Sequence, residues 1–292
     1  MQSVALPASV AIELLHALVG RVATDAGVRM LIIKGPTLAR QGLRPERVSA
    51  DVDVLVDPAG LPALVGALRA AGWHERRAAV DSPHSITLVH DGWRGDLDLH
   101  RHIPGLTHEP SAAFEVLWNR REPQSFAGHP VAVPDLLGQA VLLALHSLRN
   151  AGDRERDAEL ATAVAVLRRA SVDDVTAIVH GLGAGYALRG VLQVSGIPVE
   201  PGTVDSGRAR AWRFRMSPAY GTYIWLMHIH RSPWRQKPAA VLHALWLSEA
   251  ELRAQLPPIP AGRRALASAR WRRLIRGLAA VPKLVRARRA NP

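Results

Sequence analysis

Cysteine is absent from all 292 residues, which excludes disulfides and thiolate metal centres. Long apolar runs are absent too. The best, Leu136 to Leu148, is too short for a membrane span and contains Gln139 and His146. No basic stretch precedes the first apolar positions, Val10, Ile12, Leu14, Leu15, Leu18, Val19 and Val22, which are interspersed with Glu13, His16 and Arg21. This opening reads as an amphipathic helix and not as a secretory signal, so the expected location is cytoplasmic. There is no internal repeat. Between Leu252 and Pro292 stand eleven Arg or Lys residues and no Asp or Glu. The whole chain carries a net charge of +12, so the rest is close to neutral and the tail holds the excess.

The most informative residues present are two aspartates one position apart, in Asp51-Val52-Asp53-Val54-Leu55-Val56. A strand turns alternate side chains to one face, so Asp51 and Asp53 point together while Val52, Val54 and Val56 pack. Paired carboxylates repel each other, and a divalent cation removes that repulsion. Mg²⁺ is typically held by one or two carboxylates together with substrate phosphates. Upstream, Met30-Leu31-Ile32-Ile33 reads as a buried strand that ends at Lys34-Gly35-Pro36. Gly35 allows close approach of a phosphate, and Lys34 supplies a point charge for it. A short helix fits in 37–42, and Arg44 and Arg47 lead to the Asp pair. Downstream, 58–72 has helical spacing with a closing glycine. Strands are expected at 85–90 and 93–102, the second with Arg94, Asp96, Asp98, His100 and His102 on one face. A third carboxylate on a neighbouring strand completes a two-metal site of the kind that drives in-line displacements.

This order of residues resembles the nucleotidyltransferase superfamily of the polymerase-beta type. It is most similar to an uncharacterised bacterial branch with Lys-Gly in place of Gly-Ser. The matching segments are Leu31-Ile32-Ile33-Lys34-Gly35, Arg47 four residues before Asp51-Val52-Asp53, and Leu97-Asp98-Leu99-His100, with weaker matches at His146 and Asp157. The resemblance spans about residues 10–170. It implies an α+β fold, a mixed sheet flanked by helices and followed by a mainly helical region. It also implies Asp51, Asp53 and Asp98 as catalytic metal ligands for Mg²⁺ or Mn²⁺, with Lys34, Gly35 and Arg47 facing a nucleoside triphosphate. The expected activity is transfer of a nucleoside monophosphate from ATP or another NTP to an acceptor that the sequence does not identify. Asp96 projects from the same face as Asp98 and rivals it. Pro36 stands where the wider superfamily has Ser, and it offers neither N–H nor hydroxyl to a phosphate.

Beyond the Asp strands, 135–200 reads as helices, with a break at Gly152-Asp153 and an N-cap at Ser171 before Asp173 and Asp174. Three regions are expected: an α/β domain over 1–134, a helical domain over 135–256 and a basic tail over 257–292. Residues 208–246 interleave arginines with tryptophans and tyrosines, an arrangement that can stack nucleobases, although Tyr223 to Ile229 is apolar enough for core. After Pro257-Pro258-Ile259-Pro260, apolar residues recur at helical spacing among arginines over 262–282. A basic amphipathic helix of this kind docks on its own protein or contacts RNA or an anionic membrane, with 262–289 as the contact region. Two other functions stay open. One is an inactive nucleotidyltransferase-like protein that binds RNA or membrane through this helix. The other is a metallohydrolase built on His100, His102, Asp96 and Asp98.

Overall fold

The structure, a computed structural model, describes residues 6–76, 84–149, 154–198, 206–216, 220–255, 259–260 and 262–289. The break expected at Gly152-Asp153 and the pair Pro257-Pro258 lie outside the described residues. The described chain divides into two compact units, one up to Trp212 and one from Arg213 onward.

In the first unit the elements run α1 (Ala8–Asp25), β1 (Met30–Ile32), α2 (Pro36–Arg40), β2 (Asp51–Val56), α3 (Leu61–Ala70), β3 (His74–Glu75), β4 (Ser85–Val89) and β5 (Asp96–His100). Then come α4 (Pro110–Asn119), β6 (Arg121–Phe126), β7 (His129–Pro134), α5 (Leu136–Leu148), α6 (Arg154–Arg169), α7 (Val172–Leu182) and α8 (Gly185–Val194). Five strands form one mixed sheet in the order β1-β2-β5-β4-β3. Among the described residues only β2 and β5 are parallel; their register sets Asp51 beside Asp96, Asp53 beside Asp98 and Leu55 beside His100. The short strands β6 and β7 form a separate hairpin that sequence reading does not anticipate.

Alternation along β2 and β5 sorts the sheet into two faces. Val52, Val54, Val56, Leu97 and Leu99 pack with Ile12, Leu15 and Val19 of α1 and with Leu61, Leu64 and Leu68 of α3. The opposite face contributes Leu31, Ile33 and Leu55 to a second core built from α4, α5, α7 and α8. The acidic residues of β2 and β5 share that second face, and α5 lies over it. Helix α5 starts where the Asp135 side chain accepts from the Gly138 N–H at 2.8 Å. Ser171 caps α7 as its sequence suggests, accepting from the Asp174 N–H at 3.1 Å. Gly183, at φ 63°, ends that helix in the left-handed conformation, and a Cβ there would meet Thr107 Oγ1 at 2.5 Å.

Helix α9 (Ser206–Arg215) leads into the second unit, which holds α10 (Tyr220–Arg231), α11 (Lys237–Leu245), α12 (Glu249–Gln255) and α13 (Arg263–Arg289). Over Tyr223 to Ile229 no residue is fully buried, but Tyr223 and Trp225 pack, partly buried, against two small apolar clusters. Trp225 also lies edge-on to His228 and His243, under the Arg273 guanidinium. Helix α13 continues through Pro282 instead of stopping there. Its apolar residues divide: Leu266 and Ala269 are buried, whereas Trp271, Ile275 and Leu278 face outward among exposed arginines. Among the described residues no helix is long and apolar enough to cross a membrane.

Candidate functional site

The parallel pairing of β2 and β5 brings carboxylates from two strands into one cleft of about 310 Å³, lined by Asp51, Asp53, Asp98, His84 and His100 on the sheet side. Asp53 is buried and shares one oxygen between two donors. Lys34 Nζ donates to its Oδ1 at 2.7 Å, and His100 Nε2 donates to the same atom at 2.8 Å. His100 Nε2 also lies 3.2 Å from Asp98 Oδ2, and Thr87 Oγ1 donates to Asp98 Oδ1 at 3.1 Å. Ser49 Oγ donates to Asp51 Oδ1 at 3.3 Å. One ligand atom each from Asp53, Asp98 and His100 lie within 4.8 Å of one another.

Electrostatics separates the three acids. Burial pushes Asp51 above the usual carboxylate range, and the neighbouring Asp53 charge pushes in the same direction. Burial pulls Asp53 upward as well, but Lys34 and His100 outweigh it and hold its carboxyl well below that range. Asp98 behaves likewise, with burial opposed and overcome by its hydrogen bond to His100. His100 is the counterpart: burial works against its charge, yet Asp53 and Asp98 raise its pKa. Lys34 and His100 thus meet the demand of this cluster for positive charge.

The Lys34-Gly35 turn is held in an uncommon backbone shape. Lys34 has φ 60° and Gly35 has φ 57° with ψ −146°, a combination essentially reserved for glycine. Gln139, wholly buried in α5, fixes the turn. Its Oε1 accepts from the Lys34 N–H at 3.5 Å, and its Nε2 donates to Ile32 O and Thr37 Oγ1. Arg44 NH2 donates to the Gly35 carbonyl at 2.7 Å.

The rest of the cleft is basic. Arg44 and Arg47, ahead of β2, line it together with His146 and Arg149 at the end of α5 and Arg156 of α6. His146, which the sequence places on an apolar helix, accepts from Arg149 NH2 at its Nδ1 at 2.6 Å. Burial, followed by the charges of Lys34 and Arg149, lowers its pKa to about 2, so it is neutral.

All six residues named from sequence, Asp51, Asp53, Asp98, Lys34, Gly35 and Arg47, border this one cleft. Asp96 does not; it pairs with Arg76. His102 also stays out of the cleft lining. Sequence reading did not assign Arg149, Arg156, Ser49 or Gln139, because no local spacing ties α5 and α6 to the Asp strands. His100 had a signal: it is in phase with Asp96 and Asp98 on one strand face.

Residues 7–192 match the model of a protein family described as an uncharacterised nucleotidyltransferase. The chain belongs to that family. This nucleotidyltransferase also shares partial likeness with solved structures. One is ANT(2'')-Ia in complex with adenylyl-2''-tobramycin: 13% identity, 60% of this chain, 98% of that chain, TM-score 0.40. Another is an antigenic nucleotidyltransferase-like protein from Paracoccidioides brasiliensis: 10% identity, 66% and 96% coverage, TM-score 0.38. A third is a tRNA nucleotidyltransferase complexed with a primer tRNA and an incoming ATP analog: 13% identity, 92% and 99% coverage, TM-score 0.26. No curated protein matches the family member described here.

Proposed function

We propose that this nucleotidyltransferase moves a nucleoside monophosphate from an NTP, such as ATP, to a hydroxyl acceptor, and that it depends on Mg²⁺ or Mn²⁺. One observation carries the reading: Asp53 and Asp98, side by side on parallel strands, converge with His100 in a cleft whose far wall is made of arginines. The donor set fits a hard divalent cation. Carboxylate oxygens dominate it, and Asp51 stands on the same face of β2 as Asp53.

Asp51, Asp53 and Asp98 would hold the metal, with His100 as a further donor or as the group that orients Asp53 and Asp98. A divalent cation there supplies charge neutralisation at the α-phosphate and on the departing pyrophosphate. Lys34 and Arg47 bind the triphosphate, and Gly35 lets it approach the chain. The acceptor oxygen forms its bond to the α-phosphorus as the α–β bridging bond breaks. Pyrophosphate leaves with that electron pair, and the acceptor proton passes to the Asp98 carboxylate and then to solvent. Positioning and charge supply the rate, since no residue forms a covalent bond to the nucleotide.

The test is transfer of label from each α-labelled NTP to acceptors drawn from total RNA, protein or small-molecule fractions. Asp53→Asn and Asp98→Asn are expected to abolish transfer while the circular dichroism spectrum stays that of the wild type. Full activity in either variant removes the proposal. ATP binding that ignores the presence of metal favours the inactive, tail-binding alternative instead.

A further inference from the structure

Glu159 is a carboxylate in the wrong place for a solvated helix. It is 3% exposed, on the same stripe of α6 as the buried Ala163 and Leu167. Burying a carboxylate is unfavourable unless cations surround it. Here three do. Arg156 NH1 donates to its Oε2 at 2.7 Å, while Arg47 NH2 and Arg44 NH1 lie 3.5 and 3.6 Å from its Oε1. These arginines come from two separate stretches, one ahead of β2 and one on α6, so only the tertiary fold gathers them. All three line the cleft opposite the aspartates.

Three guanidiniums brought together repel one another, and Glu159, with Glu155 beside Arg47, offsets part of that repulsion. Burial lowers the pKa of Arg44 below its ordinary value, and the charge of Arg47 works in the same direction. Arg44 also reaches the Gly35 carbonyl, so the cluster is tied to the turn that faces the aspartates. That turn is followed by Pro36, which has no N–H to give a phosphate. Guanidinium groups bind phosphate oxygens in pairs and in fixed planes.

We infer that Glu159 is a positioning residue that holds Arg44, Arg47 and Arg156 as a clamp for the β- and γ-phosphates, in place of the contact that Pro36 removes. The inference rests on the nucleotide-transfer reading and extends it, since it makes side chains the phosphate-binding elements. The clamp recognises a polyphosphate chain and is indifferent to the base. Arg47 pairs in addition with Glu155.

Calorimetry on the full chain with inorganic tripolyphosphate and with AMP tests it. Arg156→Gln and Glu159→Gln are expected to weaken tripolyphosphate binding at least about tenfold and to leave AMP binding within about twofold. Arg156→Lys restores part of the loss. In steady-state transfer, Glu159→Gln raises the KM for NTP with little change in kcat. If Glu159→Gln does not fold, Arg156→Gln and Arg44→Gln carry the test. Folded arginine variants that bind tripolyphosphate as the wild type does overturn the clamp, as does a wild-type chain that does not bind it. Failure of the transfer reading shows differently: Asp53→Asn would retain full transfer, whatever the arginine variants do.

Discussion

At the scale of single residues, burial and neighbouring charges move the titration of side chains away from their values in water. His16 illustrates the physics away from the carboxylates. It stacks on Phe126 at 4.5 Å, donates from Nδ1 to the Ile12 carbonyl at 2.7 Å, and burial holds its pKa at about 4. The unfolded chain's histidine binds a proton near pH 6.5, so below that value the unfolded state takes up a proton that the folded state refuses. Stability is therefore full above pH 6.5, falls as the pH drops toward 4, and levels once the folded form also protonates. Between pH 7 and pH 5 the loss from this one group is about 2 kcal/mol. Urea titrations at the two pH values are expected to show that slope in the wild type and a shallower one in His16→Gln. Equal slopes would contradict it. Lys34 shows the same principle on the backbone, a non-glycine residue held at positive φ by a buried Gln139.

At the scale of elements, alternation along β2 and β5 divides labour between packing and chemistry. Leu97 and Asp98 are neighbours in sequence and face opposite sides of the sheet. Leu97 is fully buried against the α1–α3 layer, so Leu97→Ala is expected to lose about 2–5 kcal/mol of stability. Asp98→Asn keeps the volume but gives up the charged partner of His100, so a smaller loss of about 1–2 kcal/mol is expected. Equal losses in the two variants would mean that the strand is not two-faced.

This layer is also where the sequence was most readable. Period-two alternation was enough to put Asp51 with Asp53 and Asp98 with His100. Pairing of β2 with β5 was not readable, because a parallel register between strands some forty residues apart leaves no local mark. The match at Leu97-Asp98-Leu99-His100 favoured Asp98 over Asp96, but the pairing of Arg76 with Asp96 was not readable. The arginines of α5 and α6 are invisible for the same reason. Glu159 alone had a sequence signal, a charge in phase with Ala163 and Leu167 on a buried stripe.

At the scale of the whole molecule, function is confined by charge. The cleft lies in the first unit, with aspartates on the sheet side and arginines opposite, so the proposed metal–triphosphate complex would meet complementary charge on both walls. A ligand that binds only the folded state stabilises it by mass action. A slowly hydrolysed NTP analogue with Mg²⁺ at a hundred times its Kd is expected to add about 2.7 kcal/mol. Thermal denaturation should show the resulting rise in Tm for the wild type and none for Asp53→Asn; a rise in both would place nucleotide binding elsewhere. The excess positive charge lies outside this unit, in the eleven basic residues after Leu252, and the outward Trp271, Ile275 and Leu278 of α13 lie among them.

The most direct measurement is anomalous scattering from crystals of the full chain soaked in Mn²⁺ with an NTP analogue. Manganese density bounded by carboxylate oxygens of Asp51, Asp53 and Asp98, with the triphosphate running toward the arginines, is the predicted result. Manganese bound anywhere else, or nucleotide seated without metal, would contradict it.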